Sequence, residues 1–269
     1  MKSLILATVI SLGLSTPLLS QTHDKALVEK AKNAVVLLYA QDASGAMTMR
    51  CTATAFERDR VPADNGVFTY HFISAAHCVG SDDTTHEKSA SATNIPFYVT
   101  FDETHAAKTF HPASVLWVGY QHRGEDFAVF EVKTREDWPT IPLGDEQQEK
   151  EGASFINIAA PLGLGKQVMY GTISMLVLDR PVIQGDINWK GALVLQLPGV
   201  QGGSSGSALI SDTQQAIIGF LVGTIGEGTI IAIPVSRFRA VRKAVDAKKY
   251  KWYSPDTQLS PDGSDGVAQ

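Results

Sequence analysis

Short apolar runs separated by polar turns recur along most of this 269-residue chain. Runs that are rich in β-branched and aromatic residues and bounded by Gly, Pro, Asn or Asp are typical of β-strands. Six such runs occur in the N-terminal half, at residues 34–39, 51–56, 67–74, 96–101, 114–118 and 126–132. Six more follow, at residues 154–159, 167–176, 192–197, 207–210, 216–222 and 229–233. Repeated short strands with turns between them predict an all-β fold, either a barrel or a sandwich.

Two other segments have the spacing of amphipathic helices. Residues 24–33 follow a helical period, and Asp24 is a suitable N-cap. Residues 236–248 place Phe238 and Val241 on one face. We therefore expect one helix before the first strand and one after the last.

A polar stretch with Pro139, Pro142 and many charged and amide side chains separates the two groups of strands, as is typical of a linker. The last residues are rich in Ser, Asp, Gly and Pro, a composition that favours disorder. We expect a signal peptide at 1–20, a first β-barrel unit at 21–135, a linker at 136–152, a second unit at 153–235, a helix at 236–250 and a disordered tail at 251–269.

The first residues have the pattern of an export signal. Lys2 precedes an apolar run at residues 4–14, and the segment STPLLS follows up to Ser20. The run is too short to favour a membrane span. We expect a secreted or periplasmic protein that does not associate with a membrane.

The net charge of the chain bears on which classes of binding partner are expected. The formal net charge is -5 and the pI is about 5.8. Such a balance argues against nucleic acid or an anionic membrane as the main partner.

A turn rich in glycine and serine, GGSSGSA at residues 202–208, lies between two of the apolar runs. Its glycines let backbone N–H groups and a hydroxyl approach a ligand without intervening side chains. Acyl transfer needs this combination, a nucleophilic oxygen beside N–H donors for the developing oxyanion. Because Gly/Ser clusters also form plain surface turns, the motif alone leaves both interpretations open.

A second motif, FISAAHC at residues 72–78, ends an apolar run with His77 after two small residues. Imidazole ordinarily titrates near neutral pH and suits the base that a serine nucleophile needs. Together the two motifs resemble those of the chymotrypsin- and trypsin-like serine proteases. The resemblance implies two antiparallel six-stranded β-barrels with a C-terminal helix. It also implies Ser205, which directly precedes Gly206, as nucleophile, and the N–H groups of Gly203 and Ser205 as oxyanion donors.

The acid that orients the imidazole is expected to be Asp126, which begins an apolar run. This position matches that of the aspartate in the resembled family. Asp102, at the end of an earlier run, is the competing candidate. We interpret the neighbouring Glu125 as a solvated side chain.

Cys51 and Cys78 are the two cysteines of the chain. They fit either two buried thiols or a disulfide formed in an oxidising compartment. In the resembled family a cysteine directly after the histidine is bonded to one a hairpin upstream. The resemblance therefore implies a Cys51–Cys78 disulfide.

The chain is similar to the HtrA/DegP branch of this family at PLGLGKQVMYGTIS (residues 161–174) and at AIP (residues 232–234). We expect a protease domain of that type without a PDZ domain. In trypsin-like zymogens, an aspartate directly before the nucleophile pairs with a newly cut N-terminal amine. The matching residue here is Ser204, which has no charge to form that pair. The turn is therefore expected to be held by local hydrogen bonds.

These residues predict a serine endopeptidase that hydrolyses peptide bonds in polypeptides through an acyl-enzyme, with no metal or organic cofactor. Trypsin-like enzymes specific for Lys or Arg carry an acidic residue six positions before the nucleophile, where this chain has Gly199. The resemblance therefore implies a specificity pocket without charge, which favours small or apolar substrate side chains. A binding protein on the same fold, which captures a ligand without turnover, is the alternative from another class. An esterase or acyltransferase would share the chemistry, although the Ser–Asp–His order of α/β-hydrolases is absent.

Overall fold

The computed structural model describes residues 23–59, 66–79, 95–101, 109–119, 124–178, 183–184, 187–226 and 228–246. The expected signal peptide, Asp102 and the expected tail lie outside these residues.

Six antiparallel strands close the first barrel. They are β1 (Val35–Gln41), β2 (Met47–Arg58), β3 (Phe68–Ser74), β4 (Phe97–Thr100), β5 (His111–Val118) and β6 (Ala128–Thr134). Their order in space is β1-β2-β3-β6-β5-β4, and pairing of β4 with β1 completes the ring.

Six further antiparallel strands close the second barrel. Including a short hairpin of β9 and β10 that lies outside the ring, the strands are β7 (Ser154–Ala159), β8 (Gln167–Met175), β9 (Ile183–Gln184), β10 (Ile187–Asn188), β11 (Leu193–Gln196), β12 (Ala208–Ser211), β13 (Ile217–Gly226) and β14 (Thr229–Pro234). The ring order is β11-β14-β13-β12-β7-β8. Counted within its own barrel, each ring therefore has the same order, 1-2-3-6-5-4. The predicted fold of two six-stranded barrels is confirmed.

The two barrels pack against each other beside β1. This strand is buried on both faces, which a continuous apolar run favours. Leu38 belongs to the main core, whereas Leu37 and Tyr39 pack with Ala160 at the end of β7. Each fully buried side chain of this size contributes about 1.5–3 kcal/mol to folding. The same strand thus builds the first core and the contact with the second barrel.

A helix at each end completes the fold. The helix α1 (Lys25–Ala34) is N-capped by Asp24, whose carboxylate accepts a hydrogen bond from the Ala26 N–H at 2.8 Å, as expected. The helix α2 (Val235–Asp246) follows β14 directly. Phe238 on α2 makes edge-to-face contacts with Phe56, Phe127 and Phe220, at centroid distances of 5.4, 5.4 and 5.9 Å. Because these rings come from both barrels, α2 fastens the barrels together.

No helix in the described part of the chain has the length and apolar character needed to cross a membrane.

The segment between β6 and β7 contributes to the core. Trp138 and Ile141 are buried, and the Ile141 N–H donates to the Ala55 carbonyl at 3.0 Å. Glu146 is buried too, and its carboxylate accepts from the Ser236 N–H in the first turn of α2 at 3.1 Å. A carboxylate at a helix N-terminus is favoured by both the free N–H groups and the helix dipole.

Candidate active site

His77 lies on a short 3₁₀ turn, Ala76–Cys78, directly after β3. The Cys78 N–H donates to the Ala75 carbonyl at 3.2 Å and closes the turn. The two small residues before His77, Ala75 and Ala76, are both buried. The His77 side chain keeps 32% of its surface exposed, so its ring can reach a substrate.

Asp126 lies under this ring and is almost completely buried, with 1% of its surface exposed. Its Oδ1 accepts a hydrogen bond from the His77 backbone N–H at 2.9 Å, and its Oδ2 lies 2.7 Å from His77 Nδ1. Because a carboxylate can only accept, Nδ1 donates in this contact, and in the neutral imidazole the lone pair then lies on Nε2. The sequence placed Asp126 at the head of a strand, but β6 begins two residues later at Ala128.

Arg237 on α2 holds the segment that contains Asp126. The Arg237 guanidinium donates to the carbonyl of Gly124 at 2.9 Å and to that of Lys190 at 2.8 Å. Burial lowers the pKa of Arg237, and the charge of Glu125 opposes this shift. The interpretation of Glu125 as solvated is wrong, since only 7% of it is exposed. It packs inward, near the half-buried Arg237 guanidinium.

Cys51 on β2 and Cys78 form a disulfide with a Cα–Cα distance of 6.0 Å, as the resemblance implied. The bridge ties the residue after His77 to the strand beside the glycine-rich turn. Ligand atoms of Cys51, His77 and Cys78 lie within 4.8 Å of one another. The two sulfurs are bonded to each other, however, and are not available as thiolate ligands for a metal.

The turn that carries Ser205 is closed by its own backbone. The Ser204 N–H donates to the Gln201 carbonyl at 3.0 Å, and the Ser207 N–H donates to the Ser204 carbonyl at 3.2 Å. The Gly206 N–H donates to the carbonyl of Leu221 on the neighbouring strand β13 at 2.7 Å. The local hydrogen bonds expected from the uncharged Ser204 are therefore present.

Four consecutive carbonyl oxygens of this turn accept hydrogen bonds. Gly202 accepts from the Leu162 N–H at 2.7 Å, Gly203 from the Thr52 hydroxyl at 2.8 Å, Ser204 from the Ser207 N–H at 3.2 Å, and Ser205 from the Thr52 N–H at 3.1 Å. In a trans peptide the C=O and N–H groups point in opposite directions. The bonded carbonyls of Gly202 and Ser204 thus direct the N–H groups of Gly203 and Ser205 to the other side. Within the described part of the chain, neither N–H has a hydrogen-bond partner.

At Gly206 the second barrel lies tightly against the first. A Cβ atom at this position would fall 2.5 Å from Ala75 N and 2.6 Å from Thr52 O, and closer still to Ser74 Oγ. Its φ of +80° also lies in the left-handed region that favours glycine. Only glycine lets the turn of Ser205 lie against the strand end that leads into His77.

The structure thus brings the residues singled out in the sequence to one junction. His77 and Asp126 touch directly. Ser205 is joined to their surroundings through Thr52, next to the disulfide, and through Gly206 against the end of β3. Sequence reasoning missed Thr52, and its place directly after Cys51 was the one available signal.

Sequence reasoning also missed the role of Leu162. Its φ of 55° is unusual for a residue with a side chain, and its N–H is the group that binds the Gly202 carbonyl. Two thirds of its side chain is exposed. The backbone of this residue, and not its apolar side chain, therefore acts on the turn.

Two closed barrels with a His–Asp pair and a glycine-rich serine turn at their junction define a trypsin-like protease fold. The chain belongs to the family of trypsin-like peptidase domains, whose pattern it matches over residues 52–220.

Solved structures of similar fold include an HtrA-type protease, AlgW, with a decapeptide, which has a TM-score of 0.61, 16% identity and alignment over 82% of this chain and 66% of the other. A variant of AlgW with a tripeptide has a TM-score of 0.58 and 18% identity over 81% of this chain and 61% of the other. This chain thus covers less than two thirds of the length of either structure. No curated protein matches the chain.

Proposed function

We propose that this protein is a serine endopeptidase that hydrolyses polypeptides through an acyl-enzyme. The carrying observation is that the N–H groups of Gly203 and Ser205 have no hydrogen-bond partner among the described residues, whereas the four carbonyls from Gly202 to Ser205 all accept hydrogen bonds. A turn in this state needs no rearrangement before it stabilises an oxyanion. The His77–Asp126 pair beside it supplies a base that is already in the correct tautomer.

In the proposed reaction, Ser205 Oγ attacks the scissile carbonyl carbon while His77 Nε2 takes the hydroxyl proton. The carbonyl oxygen becomes an oxyanion and accepts hydrogen bonds from the N–H groups of Gly203 and Ser205. The C–N bond then breaks, and His77 gives its proton to the leaving amine. Water, deprotonated by the same imidazole, hydrolyses the ester and restores Ser205. Asp126 stabilises the imidazolium in both halves without itself taking the proton.

The proposed substrate is a polypeptide chain bound at the junction of the barrels. The AlgW structures contain a decapeptide and a tripeptide, which supports this class of ligand. We extend the proposal to a preference for small or apolar side chains, because the pocket position held by Gly199 has no charge. The apolar run near the N-terminus and the disulfide support a secreted or periplasmic location.

A fluorophosphonate probe tests the proposal. Attack by a serine on phosphorus expels fluoride and leaves a stable phosphonyl ester, whose site peptide mapping then identifies. The proposal requires the adduct on Ser205, together with cleavage of a quenched fluorescent peptide library. Folded protein that neither reacts nor cleaves would instead be a binding protein on a protease fold.

A further inference from the structure

The Thr52 side chain has a role that neither motif accounts for. Thr52 lies on β2 in the first barrel and has no exposed surface. Its hydroxyl donates to the Gly203 carbonyl at 2.8 Å and accepts from the Ala160 N–H at 3.0 Å. Both partners belong to the second barrel. One buried hydroxyl therefore bridges two segments of the other barrel.

The backbone of Thr52 acts on the same turn. Its N–H donates to the Ser205 carbonyl at 3.1 Å, and its carbonyl accepts from Ser74 Oγ at 2.7 Å near the end of β3. Thr52 thus holds the carbonyls on either side of the Ser204–Ser205 peptide, and that peptide carries one of the two oxyanion N–H groups. With both flanking carbonyls bound, the peptide has little freedom to rotate.

The contact with Ala160 extends this control to the second N–H group. Ala160 lies two residues before Leu162, whose N–H holds the Gly202 carbonyl and so directs the N–H of Gly203. Gly203, at a φ of +95°, has no side chain to restrict its rotation. Hydrogen bonds from outside the turn must therefore set its conformation.

We propose that Thr52 is a positioning residue for the oxyanion turn, acting through its hydroxyl on Gly203 and Ala160. This inference rests on the proposed protease function. It goes further by assigning the state of the turn to a residue of the opposite barrel. Thr52 does not touch the reacting atoms. It sets the direction of the groups that do.

The test compares Thr52→Val, Thr52→Ser and Thr54→Val. Valine has the shape of threonine but leaves the Gly203 carbonyl and the Ala160 N–H without their partner, whereas serine keeps the hydroxyl. Thr54 is the matched control, since it lies two residues along β2, is equally buried, and has a hydroxyl without a hydrogen-bond partner in the described residues. Rates are expressed per folded molecule, with folding checked by near-ultraviolet circular dichroism.

Thr52→Val should lower kcat on a quenched fluorescent peptide by about tenfold to a hundredfold, with KM nearly unchanged, because the oxyanion interaction is made in the transition state. Affinity for a peptidyl trifluoromethyl ketone, whose adduct places an oxyanion in the same position, should fall in parallel. Thr52→Ser and Thr54→Val should both retain the wild-type kcat and inhibitor affinity.

Provided that the wild-type protein is active, two results would overturn the proposal. One is a wild-type kcat in folded Thr52→Val, and the other is an equal loss in Thr52→Ser. If Thr52→Val does not fold, Thr52→Ala at low temperature replaces it with the same expected loss, and the Thr52→Ser result still decides. A wild-type protein that neither cleaves peptide nor reacts with fluorophosphonate would show that the proposed function has failed, a different outcome.

Discussion

Asp126 contacts His77 at two points, through the backbone N–H at 2.9 Å and through ring Nδ1 at 2.7 Å. The first contact fixes the 3₁₀ turn and the second fixes the ring, so one carboxylate determines both the place and the tautomer of the imidazole. A carboxylate has acceptor sites for both contacts, whereas an amide has one oxygen and one donor nitrogen.

This double contact predicts the effect of Asp126→Asn. The amide oxygen can still accept from the His77 backbone, but its NH₂ group then faces Nδ1 and moves the ring proton to Nε2. We expect kcat to fall by about 10⁴ while the protein stays folded. Steady-state hydrolysis of a fluorescent peptide measures the loss.

The matched control is Asp212→Asn, because Asp212 also pairs with a histidine, His23, at 3.0 Å. It should keep the wild-type kcat, and so should Asp102→Asn. Full activity in Asp126→Asn with a large loss in Asp102→Asn would mean that the acid has been misassigned.

The two adjacent serines should differ sharply. Ser205→Ala should reduce turnover to a residual level of about 10³–10⁴ over water and abolish fluorophosphonate labelling. Ser204 is fully buried, and the one hydrogen bond of its hydroxyl among the described residues is accepted from the Gln201 N–H at 3.4 Å. Ser204→Ala should therefore keep most activity. The reverse pattern, with labelling retained in Ser205→Ala, would contradict the assignment of the nucleophile.

Gly206→Ala should destabilise the protein strongly, because a Cβ would meet backbone atoms of Ala75 and Thr52 at 2.5 and 2.6 Å. Overpacking and a left-handed φ together should cost about 3 kcal/mol or more in the free energy of unfolding. Gly202→Ala is the control within the same turn, since a Cβ there meets nothing within 4 Å. Urea unfolding should separate the two variants, and equal stabilities would refute the described fit.

The disulfide should contribute measurably to stability. Cys51 and Cys78 are 27 positions apart in sequence. A loop of that size gives about 3–4 kcal/mol in the chain-entropy model. The double variant Cys51→Ala/Cys78→Ala should lose about this much in urea unfolding. Peptide mapping of non-reduced wild-type protein should recover the two cysteine peptides joined, and two free thiols would disprove the bridge.

Local patterns in the sequence predicted the parts of the site that depend on neighbouring residues. His77 after small residues and the glycines around Ser205 are motifs of a few positions, so they could be recognised without the fold. The role of Thr52 could not be recognised in this way, because the two partners of its hydroxyl lie far along the chain. Gly203 is 151 positions away and Ala160 is 108 positions away. The left-handed φ of Leu162 has no signal in the sequence either, and the Gly202 carbonyl that its N–H binds lies far along the chain.

The lengths of strands are also only partly predictable from local sequence. The apolar run at 51–56 predicted a short strand, whereas β2 begins at Met47 and ends at Arg58. The added N-terminal residues are polar or half-exposed, and they are extended because they pair with β1, where Gln41 lies opposite Met47. Ladder pairing therefore extends a strand beyond the apolar run that predicts it. The burial of Glu125 and Glu146 likewise depends on partners from α2.

The bonds from Thr52 to the serine turn have a consequence for the timing of folding. Contacts between residues so far apart in sequence form only after a large loop has closed, whereas neighbouring strands within a barrel can pair earlier. A chain whose second barrel is still unfolded has no ordered serine turn to attack a substrate, and it also lacks the contact from Arg237 on α2 that holds the Gly124 carbonyl near Asp126. Under the proposed function, peptide-bond hydrolysis would then begin only after both barrels have folded, so incompletely folded copies of the chain would not cleave one another.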